Sequence, residues 1–461
     1  MLKLGNDVED TRSPKYKCCI SAWPRKPCTQ LNRVATFSLL TPLSLSLMPP
    51  PMYLFSLSFS SAVRDIAYYS RNSKNCLAVF LSDGNLSFVE FPARDTWEDL
   101  EGRDFNAEVS ECKTALGSVT HLLWLDVHSL LCVSAYGSSQ NKCLSSGSSE
   151  TELHGSYLQE VEVVCQEDHV PDQVTSSGFA ASVTSQTPLE SPGMALAWNP
   201  SKRDSAFVEF DGGKVLSYAS RSGFMETRIN DNSISFPSAC PWVRVAQVDV
   251  GGVHKPLVCG LDDMGRLYIN GKSLCNNCSS FSFYSELDNE VVTHLIILTK
   301  QDFLFIVDTE DVLEGDVALG NVYFVIDGRK RDEEVMSYVN VWEKGAKVIG
   351  VLNGDEAAVI LQTVRGNLEC IYPRKLVLSS ITNALAQQRF KDALNLVRRH
   401  RIDFNVIVDL YGWQAFLQSA VEFVEQVNNL NHVTEFVCAM KNEDVTLSQS
   451  EMMILLQYLS I

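Results

Sequence analysis

The sequence has no glycine-rich phosphate loop ahead of a helix, no G-x-S-x-G elbow, no paired-histidine metal motif and no local Ser/His/Asp set. Each of these motifs places a reactive or ligating group by its spacing, so P-loop, serine-hydrolase and zincin chemistry lose their sequence signature. Gly212-Gly213 and Gly251-Gly252 lie between strand patterns and lack the helix N-terminus that would hold a phosphate. The eight histidines are scattered. There is a single C-x-x-C, Cys275-Asn-Asn-Cys278. A structural zinc site takes four ligands, usually as two such pairs, and His254 and His294 stand off motif spacing, so a reduced cysteine pair is expected. Most other cysteines stand singly in apolar runs, as Cys76, Cys132, Cys165, Cys259, Cys370 and Cys438 do. That suits free thiols packed as small hydrophobes in a reducing compartment, not a disulfide framework. No catalytic, cofactor-binding or metal-ligating residue is therefore expected, and no cofactor. The chain reads as a non-enzyme.

Positive charge is also scarce. The 461 residues hold 38 Lys and Arg against 56 Asp and Glu, a net charge of −18. Such a surface repels phosphate backbones and favours protein partners. From Val34 to Val63 there is no charge at all, a length that invites comparison with a membrane span. Pro42 and Pro49-Pro50-Pro51 break that run, and proline removes backbone donors, so an extended or strand segment is expected and no membrane element. Residues 1–33 differ from the rest, with seven Lys and Arg against three Asp and Glu. They read as a disordered or foreign leader.

What is present, from about Val63, is a recurring turn. Glycine separates two apolar strand patterns in LAVFLSDGNLSFVEF (Gly84), SAFVEFDGGKVLSYA (Gly213), LVCGLDDMGRLYING (Gly265) and AVILQTVRGNLECIY (Gly366). A tight hairpin needs positive φ, which glycine supplies without a Cβ clash. One propeller blade takes ~40–50 residues. The interval from Gly213 to Gly265 fits one blade, that from Gly265 to Gly366 two, and that from Gly84 to Gly213 two or more with insertions. Strand pairs without the glycine, THLLWLDVHSLLCVSA and THLIILTKQDFLFIVD, fill the gaps. About six blades are expected between Val63 and Tyr372, in preference to a β-sandwich or two barrels. GSSQNKCLSSGSSE and the stretch Gln166 to Gly193 are polar and read as mobile loops.

At Pro373 the apolar period changes from two to 3.6. Leu378, Ile381 and Leu385 mark one helix face, Phe390, Leu394 and Val397 the next. Phe416, Ala420, Phe423 and Val427 follow, then Val433, Phe436, Val437 and Met440. Asp403 is placed to cap a short helix ending near Gly412, and Thr446 with Gln449 has capping-box spacing. Short helices in series, each with one apolar face, predict a solenoid of helical pairs. Its outer edge, from about Phe416 onward with Leu455 and Leu456, is expected to stay partly exposed. Two basic runs have bland readings. Arg329-Lys330-Arg331 is neutralised by the acids after it, and Arg398-Arg399-His400-Arg401 suits a helix C-terminus. A tRNA contact is the sharper reading of the second.

Two stretches carry a family resemblance. SLMPPPMYLFSLSFSSAVRDIAYY (Ser46 to Tyr69) resembles the entry into the second propeller of the largest subunit of Elongator, the IKAP family. RGNLECIYPRKLVLSSITNALAQQRFKDALNLVRRHRIDFNVIVDL (Arg365 to Leu410), continued by FVEQVNNLNHVTEFVCAMKNEDVT (Phe423 to Thr446), resembles that family's passage from propeller to solenoid. The resemblance implies a leader at 1–35, a WD40-like β-propeller at 36–373 and the start of a TPR-like α-helical solenoid at 374–461. It implies a scaffold that supports wobble-uridine modification of tRNA by assembling the other Elongator subunits, a propeller subunit and a catalytic radical-SAM and acetyltransferase-like subunit. tRNA would be met only through the complex, and dimerisation would fall to a C-terminal region that is absent here. The cytoplasm, and also the nucleus, are the implied locations. The same architecture would suit a vesicle-coat or intraflagellar-type scaffold.

Overall fold

The four glycines sit at the same place in four sheets. In each, the glycine closes the turn between the second and third strands and its N–H donates to the carbonyl three residues back: Gly84 to Leu81 (3.1 Å), Gly213 to Phe210 (2.9 Å), Gly265 to Asp262 (3.0 Å) and Gly366 to Thr363 (2.9 Å). Their φ angles are +87°, +83°, +89° and +86°, in the region that a Cβ disfavours. A fifth turn of the same kind lacks the glycine. Asp302 takes φ +67° and donates to Thr299 O at 3.1 Å.

The computed structural model describes residues 61–440 apart from gaps, the widest at 92–108, 137–154 and 315–337, and four short strands before residue 59. Among the described residues, six antiparallel sheets of three or four strands follow one another from Val63 to Ile371, each built from strands in chain order. The first runs through Val63–Arg71, Lys74–Leu81, Asn85–Phe91 and Val109–Lys113. The second uses Ser118–Asp126, Ser129–Tyr136, Gly155–Gln166 and Gly178–Pro188. The third uses Gly193–Trp198, Ser205–Phe210, Val215–Ala219 and Gly223–Glu226. The fourth uses Trp242–Val250, Val253–Leu261, Leu267–Ile269 and Lys272–Cys275. The fifth uses Cys278–Tyr284, His294–Thr299, Phe303–Asp308 and Tyr338–Asn340. The sixth has three strands, Lys347–Leu352, Ala358–Gln362 and Leu368–Ile371. Serial meanders of about four strands are the blade unit of a propeller.

Another sheet joins Leu2–Leu4, Cys18–Ile20, Val34–Leu40 and Met52–Ser58. Two of its strands come from the expected leader. Within the uncharged run, Val34–Leu40 and Met52–Ser58 are strands that pair antiparallel.

The chain forms two compact units: Met1–Val245 with Pro256–Ser273, and Ala246–Lys255 with Leu274–Ile461. In the first unit the sheets pack face on face. Trp124 of the second sheet donates its indole N–H to Ala67 O of the first at 3.1 Å, and Leu122 N–H donates to Asp65 Oδ2 at 2.8 Å. Phe88, Trp124 and Val161 share one buried cluster, and Leu131, Val208 and Tyr218 link the second sheet to the third.

The expectation of a loop from Gln166 to Gly193 is corrected. Gly178–Pro188 is a full strand, paired with Gly155–Gln166 from Tyr157↔Pro188 to Gln166↔Gly178. Its residues alternate, Ala181, Val183, Ser185 and Thr187 half-buried and Ser182, Thr184 and Gln186 exposed. Serine and threonine disguised a period of two, and Thr suits a pleated surface. The other polar run, at 137–150, lies outside the described residues, as do Arg329-Lys330-Arg331, the Thr446 and Gln449 pair, and Leu455 and Leu456.

In the second unit the helices follow directly. α1 is Thr309–Glu314, α2 Arg374–Ala386, α3 Phe390–Arg399, α4 Asn405–Tyr411, α5 Trp413–Gln418, α6 Ala420–Val427 and α7 Leu430–Ala439. Asp403 Oδ1 accepts from Asn405 N at 3.0 Å ahead of α4, and Gly412, at φ +89°, ends that helix. Asn429 caps α7 through Asn431 N at 3.0 Å. No helix among the described residues is long and apolar enough to cross a membrane.

Candidate functional site

The second unit joins sheet to helix through α2, whose first turn follows Pro373. Lys375 Nζ reaches back to Asp308 Oδ2 at 2.6 Å and to Ile306 O at 3.3 Å. His294 Nε2 meets the other Asp308 oxygen at 3.0 Å. Burial would push the Asp308 carboxyl up, but the His294 hydrogen bond and the Lys375 charge outweigh it and hold it at about 2. One turn later the Tyr284 hydroxyl donates to Gly354 O at 2.9 Å and lies 2.7 Å from Ser380 Oγ. Ser379 donates to the Glu286 carboxylate, and Asn383 Nδ2 donates to Glu286 O at 3.4 Å.

The 3-10 turn Gly354–Glu356 serves as a socket for α2 and α3. Its Asp355 takes Arg389 in two bonds, Nη1 at 2.6 Å and Nη2 at 3.1 Å, and Glu356 takes Arg399 at 2.9 Å. Paired guanidinium bonds fix orientation as well as distance. One buried cluster then runs from Ile296, Leu304 and Val359 of the sheets to Leu376, Phe390, Val406 and Phe436 of the helices.

The basic run Arg398 to Arg401 is largely consumed by this framework. Arg398 bridges α3 to α7, with Nε 3.0 Å from Glu435 Oε2 and Nη1 2.7 Å from His432 Nε2. Arg399 lies over the Tyr372 ring at 5.4 Å, and the His400 ring is 5.0 Å from the same ring. Burial and the neighbouring Arg399 charge push the His400 imidazole down. These contacts answer the bland reading, a favourable helix end, and leave two of the three arginines engaged within the unit.

Cys275 and Cys278 flank the connection from the fourth sheet to the fifth, and both are buried. Burial pushes the Cys275 thiol up, which disfavours the thiolate that a metal or a nucleophile needs. His254 is exposed, while His294 belongs to the Asp308 bridge. Among the described residues no three His, Cys, Asp or Glu side chains gather as metal ligands.

The open surface is elsewhere. Below it, Phe416, Phe423 and Phe436 form an aromatic cluster with ring centroids 4.8 to 5.6 Å apart. Above it, α5, α6 and α7 expose Trp413 (57%), Leu417, Val421 (71%), Val424, Leu430 (80%) and Val437. Val437, grouped with Phe436 in one apolar helix face and in an edge expected to be partly exposed, is exposed, while Phe436 is buried. Sequence pattern marks the buried layer beneath, whose apolar positions are periodic, and of the exposed residues only Val437. It missed the junction, because His294, Asp308 and Lys375 are far apart in the chain and belong to no motif.

Comparison with known proteins gives one answer. A family described as ELP1 N-terminal second beta-propeller matches residues 37–349, and one described as ELP1 alpha-solenoid matches 374–455. Elongator complex protein 1 of Arabidopsis thaliana is 88% identical over 408 residues, which is 88% of this chain and 31% of the relative. The putative elongator complex protein 1 of Xenopus laevis is 25% identical over 436 residues, 88% of this chain and 33% of the relative. The Elongator complex protein 1 of Schizosaccharomyces pombe is 30% identical over 241 residues, 52% of this chain and 17% of the relative. The chain thus spans about a third of the length of the first two relatives. With a β-propeller region followed by an α-solenoid region, each matched in order, the chain belongs to the Elongator complex protein 1 family.

Proposed function

We propose that the chain is a non-catalytic scaffold within Elongator, supporting wobble-uridine modification of tRNA by holding the other subunits. The observation that carries this is the apolar face of α5 to α7, where Trp413, Leu417, Val421 and Leu430 stand open over a fully packed aromatic layer. A solenoid buries its faces only by stacking on a neighbour, so such a face is built for a further helical layer. The junction supports the same reading: ion pairs and a shared core tie helices to sheets and leave them rigid, as a load-transmitting element requires.

The partners in this reading are a propeller subunit and the radical-SAM and acetyltransferase-like catalytic subunit, with tRNA met through the complex. No catalytic residue, metal or cofactor is assigned to the chain. The domain limits are 36–373 for the propeller and 374–461 for the solenoid, and the location is the cytoplasm and the nucleus. The trafficking-scaffold alternative shares the architecture but not the family.

The test places Val421→Asp and Val424→Asp in the full-length protein. Both side chains are exposed in this chain, and a thermal melt of the variant checks that the fold survives in the full-length protein. Recovery of the partner subunits and wobble-uridine modification of tRNA should both fall. Normal assembly and normal modification in this variant would overturn the reading.

A further inference from the structure

Among the described residues no large apolar side chain is more exposed than Trp342, at 93%. It lies in the connection from the last strand of the fifth sheet to the first of the sixth, within the second unit. The connection is fixed, not slack. Val341 N–H donates to Asp302 O at 2.9 Å, and Gly345 N–H donates to Asp302 Oδ1 at 2.7 Å. Val341 and Ala346 are buried on either side. Asp302 is the left-handed residue of its own turn, so one turn residue anchors the connection through both its carbonyl and its carboxylate.

A second exposed apolar side chain stands against the same connection, at Gly345. A Cβ on Gly345 would lie 3.0 Å from Val364 Cγ2, and Val364 is 76% exposed at the turn of the sixth sheet. Lys344 and Arg365, both exposed, flank these two residues. Within 341–347 and 363–367 the charged residues are Lys344, Lys347, Arg365 and one carboxylate, Glu343. This rim is therefore locally positive on a chain of net charge −18.

We propose that this rim docks an acidic protein segment bearing apolar side chains. Trp342 is the anchor, Val364 its apolar neighbour, and Lys344 and Arg365 meet the segment's carboxylates. A tryptophan on a backbone already fixed costs little further backbone ordering on binding, and large aromatic anchors dominate interfaces. The charges then set register and encounter rate. A nucleic acid fits less well. So few cations neutralise few phosphates, and the whole chain repels a polyanion.

The test presents the full chain and Trp342→Ala to an array of random short peptides and to a short oligouridylate. A thermal melt confirms that the variant folds, as a side chain with so little buried surface allows. Captured peptides should be acidic and rich in Leu, Phe or Trp. The best of them, resynthesised, should bind Trp342→Ala about tenfold or more weakly. The double variant Lys344→Glu with Arg365→Glu should weaken it similarly and remove its salt dependence. Val253→Ala, at an exposed apolar side chain of the fourth sheet, should leave it unchanged. Capture without acidic preference, no capture, equal binding by Trp342→Ala, or oligouridylate binding that depends on Trp342 would each overturn the proposal.

Discussion

Glu209 is a carboxyl with almost nowhere to put a charge. It lies in the third sheet, fully buried, with Oε1 accepting from Cys240 N at 2.9 Å and Oε2 without a partner. Burial pushes it up to about 8, the Cys240 N–H opposing and the Asp211 charge adding. The ordinary value is about 4.5, so the folded state holds its proton more tightly than the unfolded chain does. Stability from this group is complete below about 4.5 and is lost as the pH rises toward 8. Glu209→Gln keeps the acceptor for Cys240 and removes the titration. The variant should therefore be more stable than the parent at pH 8, by ~2–4 kcal/mol, with the gap closing near pH 5. Thermal melts across that range check this, and parallel profiles for parent and variant would refute it. No motif marks Glu209; its role depends on burial, which its place in the apolar strand SAFVEF hints at and only packing establishes.

At the scale of the element, the turns were the most legible part of the fold. Glycine between alternating apolar strands named four of them, because a requirement for positive φ is written directly in residue type. The fifth was hidden because Asp302 meets the same requirement with a side chain that then anchors Val341 and Gly345. The strand Gly178–Pro188 was hidden by its composition, and the junction by its sequence separation. The buried helix faces were legible from their period. The same turn carries different loads in different sheets. At Gly84 a Cβ would meet nothing within 4 Å. At Gly213 it would lie 2.2 Å from Phe236 O, because the segment at 234–236 pairs along the turn through Phe236 N to Gly213 O at 2.7 Å. Gly84→Ala should cost ~1–2 kcal/mol, the strain of positive φ alone. Gly213→Ala should cost ~3 kcal/mol or more, since backbone must also move. Denaturant unfolding of the two variants gives the ranking, and equal costs would show that the Phe236 contact yields freely.

At the scale of the whole molecule, the propeller sheets and the helices meet in the second unit as one buried core rather than as beads on a linker. That arrangement suits the scaffold role proposed for this member of the Elongator complex protein 1 family. The open helical face supports the same proposed role. The most direct measurement is affinity purification of the tagged protein from its own cells followed by quantitative mass spectrometry. The account predicts that Elongator subunits are recovered in near-stoichiometric amounts. Recovery of vesicle-coat or intraflagellar components, or of no Elongator subunit, would contradict it.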